Sequence, residues 1–171
     1  FTTIQLLWVN IIMDGPPALA LGLEPVRKAV LKRKPVNRNS SIITKTMLRT
    51  IVINAILMAT IILGQMLFNP LGAAESEMET VLFGLFAFLA LFNAFNCREM
   101  GADSIIPYFT GNKIALKIIS LTAVAQIIFT QVFTDFFNAV RLSGAMWGKV
   151  ILTATLIVII NEIGKAIIRL A

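Results

Sequence analysis

Two polar residues near the start of the chain, Asn10 and Asp14, have the chemistry to bind a cation. They lie within the apolar segment 4–22, which is long enough to cross a bilayer. A charged residue at membrane depth costs at least about 2.5–3.5 kcal/mol, so it usually faces a cavity and has a function. Because the two residues are four apart, they share one face of a helix. The spacing therefore predicts an amide and a carboxylate presented side by side.

The residues that follow this pair disfavour a regular helix. Gly15 adds backbone freedom, and neither Pro16 nor Pro17 can donate a hydrogen bond to the carbonyl four residues earlier. Loosened backbone at membrane depth is tolerated against a cavity or buried protein, and discontinuous helices form ion sites in transporters. Amide, carboxylate and carbonyl oxygens together suit calcium. We therefore expect an ion site; the alternative is that Asn10 and Asp14 only bridge helices beside a packing kink.

The apolar content of the chain predicts a membrane protein. Of its 171 residues, 57 % are hydrophobic and 14 % are charged, whereas a soluble domain carries about 25 % charge. Five apolar segments are each near the length needed to span a bilayer, at about 4–22, 47–68, 80–97, 114–133 and 148–168. We expect an all-α membrane protein with five transmembrane helices. A single Cys and the lack of His exclude a Cys-based metal site and imidazole chemistry.

Basic residues are placed unevenly along the chain, and their placement predicts its orientation. The connection 23–45 contains seven Lys and Arg, the stretch 98–117 contains three, and Lys165 and Arg169 follow near the end. The two alternate connections contain none and two. By the positive-inside rule, the first and third connections and the C-terminus are cytoplasmic. The net charge is +6, but no aromatic residue interleaves the basic cluster, so nucleic-acid binding is not expected.

The first segment resembles the sixth transmembrane helix of P-type calcium-transporting ATPases. The resemblance is carried by Gln-Leu-Leu-Trp-Val-Asn-Ile-Ile-Met-Asp-Gly at 5–15 and by Ala-Leu-Ala-Leu-Gly at 18–22. It implies that Asn10 and Asp14 bind the transported calcium ion. It extends more weakly over residues 1–171, which it identifies as the C-terminal part of the membrane domain, helices six to ten. The chain opens inside an apolar segment without a Met or a polar leader, which also predicts a fragment of a longer protein.

Two departures from the pattern of this family concern the number of ions. The run Phe-Asn-Ala-Phe-Asn at 92–96 resembles the Asn-Ala-Leu-Asn run of the eighth helix. Pumps with two calcium sites have Glu where this chain has Ala90, and Thr where it has Met13. Both differences remove oxygen donors from the same site. The resemblance therefore implies the single-site branch, which includes plasma-membrane-type and several bacterial pumps, with one ion moved per cycle.

ATP chemistry is not expected from this chain itself. The phosphorylation motif Asp-Lys-Thr-Gly and any Gly-rich phosphate loop are absent. The resemblance implies that ATP and magnesium act in the longer parent protein, at the plasma membrane. The expected partners are the upstream membrane helices, the cytoplasmic domains and the lipid bilayer. The alternatives are another P-type pump, moving Na⁺, K⁺, H⁺ or Mn²⁺, or a membrane transporter bundle that is not an ATPase.

Other polar residues within the apolar segments are expected to have structural roles. Asn54 and Gln65 in the second segment, and Gln126 in the fourth, are predicted to form hydrogen bonds between helices. Glu162, near the end of the last segment, is predicted to form a local ion pair with a basic neighbour such as Lys165. None of these residues is assigned to the ion site.

Overall fold

The computed structural model describes residues 1–25, 41, 43–99, 101 and 103–170. Most of the basic connection 23–45 lies outside these residues. The described residues form helices and contain no strand, as the sequence predicts. Five helices are long and apolar enough to span a membrane, and they are named here α1 (Thr3–Leu21), α2 (Lys45–Phe68), α3 (Met78–Cys97), α4 (Lys113–Val132) and α5 (Gly144–Leu170). The predicted five-helix membrane fold is confirmed.

Capping residues set the ends of the helices. The Thr44 hydroxyl accepts a hydrogen bond from the Met47 N–H at 3.2 Å and begins α2. Asn69 ends that helix in the left-handed conformation, at φ 44°. The 3₁₀ turn Glu75–Glu77 leads into α3, and a four-residue helical turn, Thr134–Phe137, follows α4.

Helix α3 is the centre of the bundle. In its span, 61 % of residues are buried, compared with 11 % in the span of α2. Its aromatic and aliphatic side chains, including Phe83 and Phe88, are buried against the other helices. Its most extensive packing is against α5, where Gly84 leaves room for the ring of Trp147; a Cβ at Gly84 would lie 3.0 Å from that ring.

A cluster of four asparagine side chains joins α2, α3 and α5 within the membrane span. Asn161 donates to the Asn54 Oδ1 at 2.6 Å, and Asn54 donates to the Asn93 Oδ1 at 2.8 Å. Asn96 donates to the same Asn93 oxygen at 3.2 Å and to the carbonyl of Ile157 at 3.3 Å. Because lipid offers no hydrogen-bonding partner, these bonds favour association of the three helices.

Candidate ion-binding site

Helix α1 is continuous but changes its winding at the candidate site. It is α-helical over Thr3–Trp8, π-helical over Val9–Asp14 and α-helical again over Gly15–Leu21. The prolines occupy the first turn of the last segment, where a missing N–H is tolerated. The prolines were predicted to break the helix. The structure instead has a π-helical turn before them, and the helical backbone continues. Such turns are frequent at functional sites.

The two candidate ligands lie on the side of α1 that faces away from the bundle. Val9 and Met13 are 2 % and 1 % exposed and pack against the other helices. Asn10 and Asp14, each the next residue along, are both exposed. The structure thus places the predicted pair on a common face, with its oxygens available to a ligand.

No other segment of the described chain covers this face. Leu7 and Ile11, which flank the pair, are 57 % and 56 % exposed. Within the described residues, neither Asn10 nor Asp14 forms a side-chain hydrogen bond or an ion pair, and no group of three His, Cys, Asp or Glu is present. An amide oxygen and two carboxylate oxygens are fewer than the 6–8 that calcium takes. The pair alone therefore supplies too few oxygen ligands for a calcium site.

Hydrogen bonds on the buried side fix the rotation of α1. The Trp8 Nε1 donates to the Gln126 Oε1 on α4 at 2.7 Å, immediately before the π-helical turn. Gln126 is fully buried and donates in turn to the Thr130 hydroxyl at 3.2 Å. One turn earlier, the Gln5 Nε2 donates to the carbonyl of Phe137 at 2.8 Å. These bonds keep Asn10 and Asp14 turned outwards.

An ion pair holds the other end of α1. The guanidinium of Arg98, which is fully buried, donates to both carboxylate oxygens of Glu24 at 3.0 and 3.1 Å. The same guanidinium donates to the carbonyls of Tyr108 and Phe109, and Asn112 donates to Glu24 at 2.9 Å. The end of α1 is thereby joined to the end of α3 and to the start of α4.

An apolar seam lies behind the candidate ligands. Met13 packs there with Val9 of the same helix and with Phe83 and Ala87 of α3. Phe137 closes the outer end of this seam and stacks on Phe83, with ring centroids 5.6 Å apart. The position where two-site pumps have Thr is therefore filled by a buried side chain without oxygen.

The residues predicted to join helices do so. Asn54 bonds to α3 and α5, and Gln126 bonds to α1. Gln65 bonds to the connection after α2 and contacts the Met78 sulfur of α3 at 3.7 Å. Glu162 pairs with Lys165 at 3.2 Å.

Two partners of α1 were not predicted from the sequence. The bond from Trp8 joins residues 118 positions apart, and the ion pair between Glu24 and Arg98 joins residues 74 positions apart. The only signal for them was the presence of an amide and of charges near the ends of apolar segments.

The fold and the site together define a helical membrane domain that carries oxygen donors at membrane depth. Residues 1–167 match the family described as "Cation transporting ATPase, C-terminus", and the chain belongs to this family. The resemblance to the C-terminal membrane region of P-type calcium pumps is confirmed.

Several curated relatives are plasma-membrane-type calcium-transporting ATPases of plants. The chain is 35 % identical over 160 residues to calcium-transporting ATPase 12, plasma membrane-type, of Arabidopsis thaliana, covering 91 % of this chain and 15 % of that protein. It is 37 % identical over 172 residues to calcium-transporting ATPase 1, plasma membrane-type, of Oryza sativa subsp. japonica, covering 97 % of this chain and 16 % of that protein. The chain thus spans less than a fifth of the length of these relatives.

Proposed function

We propose that this chain forms transmembrane helices six to ten of an ATP-driven calcium pump. The observation that carries the proposal is the uncovered face of α1, on which Asn10 and Asp14 point away from the five-helix bundle. A carboxylate that faced lipid would be costly, so this face needs a polar covering. The relatives are more than five times as long as this chain, and their additional segments could supply this covering.

In this proposal, Asn10 and Asp14 bind the transported calcium directly. The carboxylate supplies charge and oxygens, the amide supplies one further oxygen, and the π-helical turn brings both to one surface. The remaining ligands come from upstream membrane helices of the parent protein. ATP and magnesium act on cytoplasmic domains of the parent, and the changes there alter the affinity and access of the ion site.

The apolar seam behind the site supports one ion per cycle. A second ion on the α3 side would have to displace Met13, which is 1 % exposed between Val9 and Phe83. Neither Met13 nor Ala90 offers an oxygen donor. The names of the relatives, which are of the plasma membrane type, favour the same branch and a plasma-membrane location.

The distribution of basic residues supports a cytoplasmic position for the first and third connections and the C-terminus. The contacts at one end of the bundle agree with this orientation. Glu24 after α1 contacts Arg98 after α3, and Glu162 near the end of α5 accepts hydrogen bonds from Ser104 and from the Ile105 N–H. These contacts support a common side of the membrane for the three segments.

The experiment that tests this proposal is the substitution Asp14→Asn in the intact pump. The change keeps the shape of the side chain and removes its charge, so we expect calcium-dependent phosphoenzyme formation from ATP to be lost. The matched control is Asp135→Asn, the same change at an exposed position beyond the outer end of α4, which should leave calcium dependence unaltered. Phosphorylation by inorganic phosphate without calcium, the reverse of hydrolysis, should persist in both variants and reports correct folding. Unchanged calcium dependence in Asp14→Asn would rule out a ligand role.

A further inference from the structure

A cleft of about 470 Å³ lies between α2 and α5, at the end of the bundle proposed to be cytoplasmic. Its polar lining comes from Thr46 and Arg49 near the start of α2, and from Asn161 and Lys165 near the end of α5. The cleft is separate from the candidate calcium site, which lies on α1. Its volume is within the range of about 300–1,000 Å³ that is usual for small-molecule sites.

The cleft contains more positive charge than its neighbours neutralise. Lys165 is 8 % exposed, and of its three N–H donors one is used, on Glu162 at 3.2 Å. That carboxylate, which also accepts hydrogen bonds from Ser104 and Ile105, balances the charge of Lys165. Arg49 is exposed, and among the residues that the structure describes none pairs with its guanidinium.

Within the described residues, neither acidic side chain next to the lining pairs with Arg49. Glu99 accepts a hydrogen bond from the Gly101 N–H at 3.0 Å, and Glu162 is occupied as described above. An anion in the cleft would therefore meet the guanidinium of Arg49, a hydroxyl from Thr46 and the ammonium N–H donors of Lys165 that Glu162 does not use. Phosphate is the anion that this donor set suits, because it accepts several charge-assisted hydrogen bonds at once.

The part of the cleft farther from the helix ends has exposed apolar side chains beside Asn161. Ile53 of α2 and Ile160 of α5 line it and are 46 % and 42 % exposed. The cleft therefore passes from cationic at the membrane surface to apolar towards the membrane interior. A phospholipid has the same order of groups, and basic pockets between transmembrane helices on the cytoplasmic side bind lipid headgroups.

We propose that this cleft binds an anionic membrane phospholipid, with its phosphate between Arg49 and Lys165 and an acyl chain along Ile53 and Ile160. Binding at this position joins α2 to α5 at their cytoplasmic ends. Few other contacts hold α2, of whose span only 11 % is buried. The lipid thus acts as a non-covalent connection between these two helices.

The test measures retention of phosphatidylserine by the intact pump, using native mass spectrometry at increasing lipid concentration. Arg49→Gln and Lys165→Gln should each weaken retention about fivefold, the effect of one basic group near a membrane surface. The matched control removes two positive charges from the same end of the bundle, outside the cleft, by Lys113→Gln together with Lys117→Gln. This control should retain the lipid as the unaltered pump does.

A second variant blocks the cleft without changing any charge. Gly164 lines the cleft, and a Cβ there meets no atom within 4 Å, so Gly164→Leu fits the helix and fills the cavity. We expect this variant to lose phosphatidylserine as Lys165→Gln does. It also separates loss of the site from misfolding, since Leu favours a helix more than Gly does.

Free anions and lipid are distinguished by competition. Inorganic phosphate and the soluble headgroup glycerophosphoserine, each at millimolar concentration, should not displace the lipid, because they lack the acyl chain. Displacement by inorganic phosphate, or retention of lipid at unaltered affinity in Arg49→Gln and Gly164→Leu, would overturn the proposal. Calcium-dependent phosphorylation of these variants should persist. A negative result for lipid binding is therefore distinguishable from a negative result for the proposed calcium site.

Discussion

The hydrogen bond between Trp8 and Gln126 gives a quantitative test of how the proposed calcium site is held. It joins α1 to α4 at 2.7 Å, and the residue after Trp8 begins the π-helical turn that carries the proposed ligands. Gln126 is fully buried, so water does not replace the bond when it is broken. Its loss should allow α1 to rotate and should lower calcium affinity.

The size of the effect follows from the strength of such bonds in membranes. Side-chain hydrogen bonds between transmembrane helices contribute about 0.6 kcal/mol on average and about 1.7 kcal/mol at most. If the bond forms only in the calcium-bound state, its removal weakens calcium binding about threefold to twentyfold. The perturbation is a double-mutant cycle with Trp8→Phe and Gln126→Leu, and the assay is the calcium concentration that gives half-maximal phosphoenzyme.

A substitution elsewhere on α4 provides the control. Gln131 lies near the outer end of the same helix and bonds to the carbonyl and N–H of Leu142 at 2.7 and 2.9 Å. Gln131→Leu therefore removes a half-buried amide without touching α1, and calcium affinity should not change. A coupling energy of zero between Trp8→Phe and Gln126→Leu, or an equal loss of affinity in Gln131→Leu, would refute the positioning role.

Two further predictions concern the ends of α1 and the number of ions. Replacing Glu24 with Gln removes the negative charge that the buried guanidinium of Arg98 contacts; we expect a loss of about 3 kcal/mol, seen as faster thermal inactivation of the ATPase, and an equally durable pump would contradict this. Ala90→Glu alone should leave transport at one calcium per ATP, because Met13 still fills the seam; two ions per ATP, measured by isotope uptake, would show that the seam does not limit the site.

The membrane spans were predictable because bilayer thickness fixes their length. Runs of about 20 apolar residues have few alternatives to a transmembrane helix, so the five helices could be placed from composition alone. The shared face of Asn10 and Asp14 was predictable for a similarly simple reason, the near-integral number of helical turns between them. Which side of α1 the bundle covers depended on packing, and the sequence of α1 does not specify its neighbours.

The form of the helix at the site was predicted less well. The prolines at 16 and 17 were expected to interrupt it, but the helix continues through a π-helical turn over Val9–Asp14 that precedes them. The two ends of α1 are held by the bond from Gln5 to Phe137 and by the ion pair of Glu24 with Arg98. Those partners are distant in sequence, and no local pattern indicates which of the available amides and charges will meet.

The asparagine cluster has a consequence for how α2 finds its place during biogenesis. With a mean hydropathy of 2.2 in its span, α2 is apolar enough to cross a membrane, and exposed apolar residues such as Ile51 and Ile56 lie along it. Such a surface offers nearly the same contacts at any angle about the helix axis. Asn54 favours one rotation of α2 over the others, because only that orientation brings its amide to Asn93 and Asn161. Asn54 thereby selects the rotation about the helix axis at which α2 packs against α3 and α5.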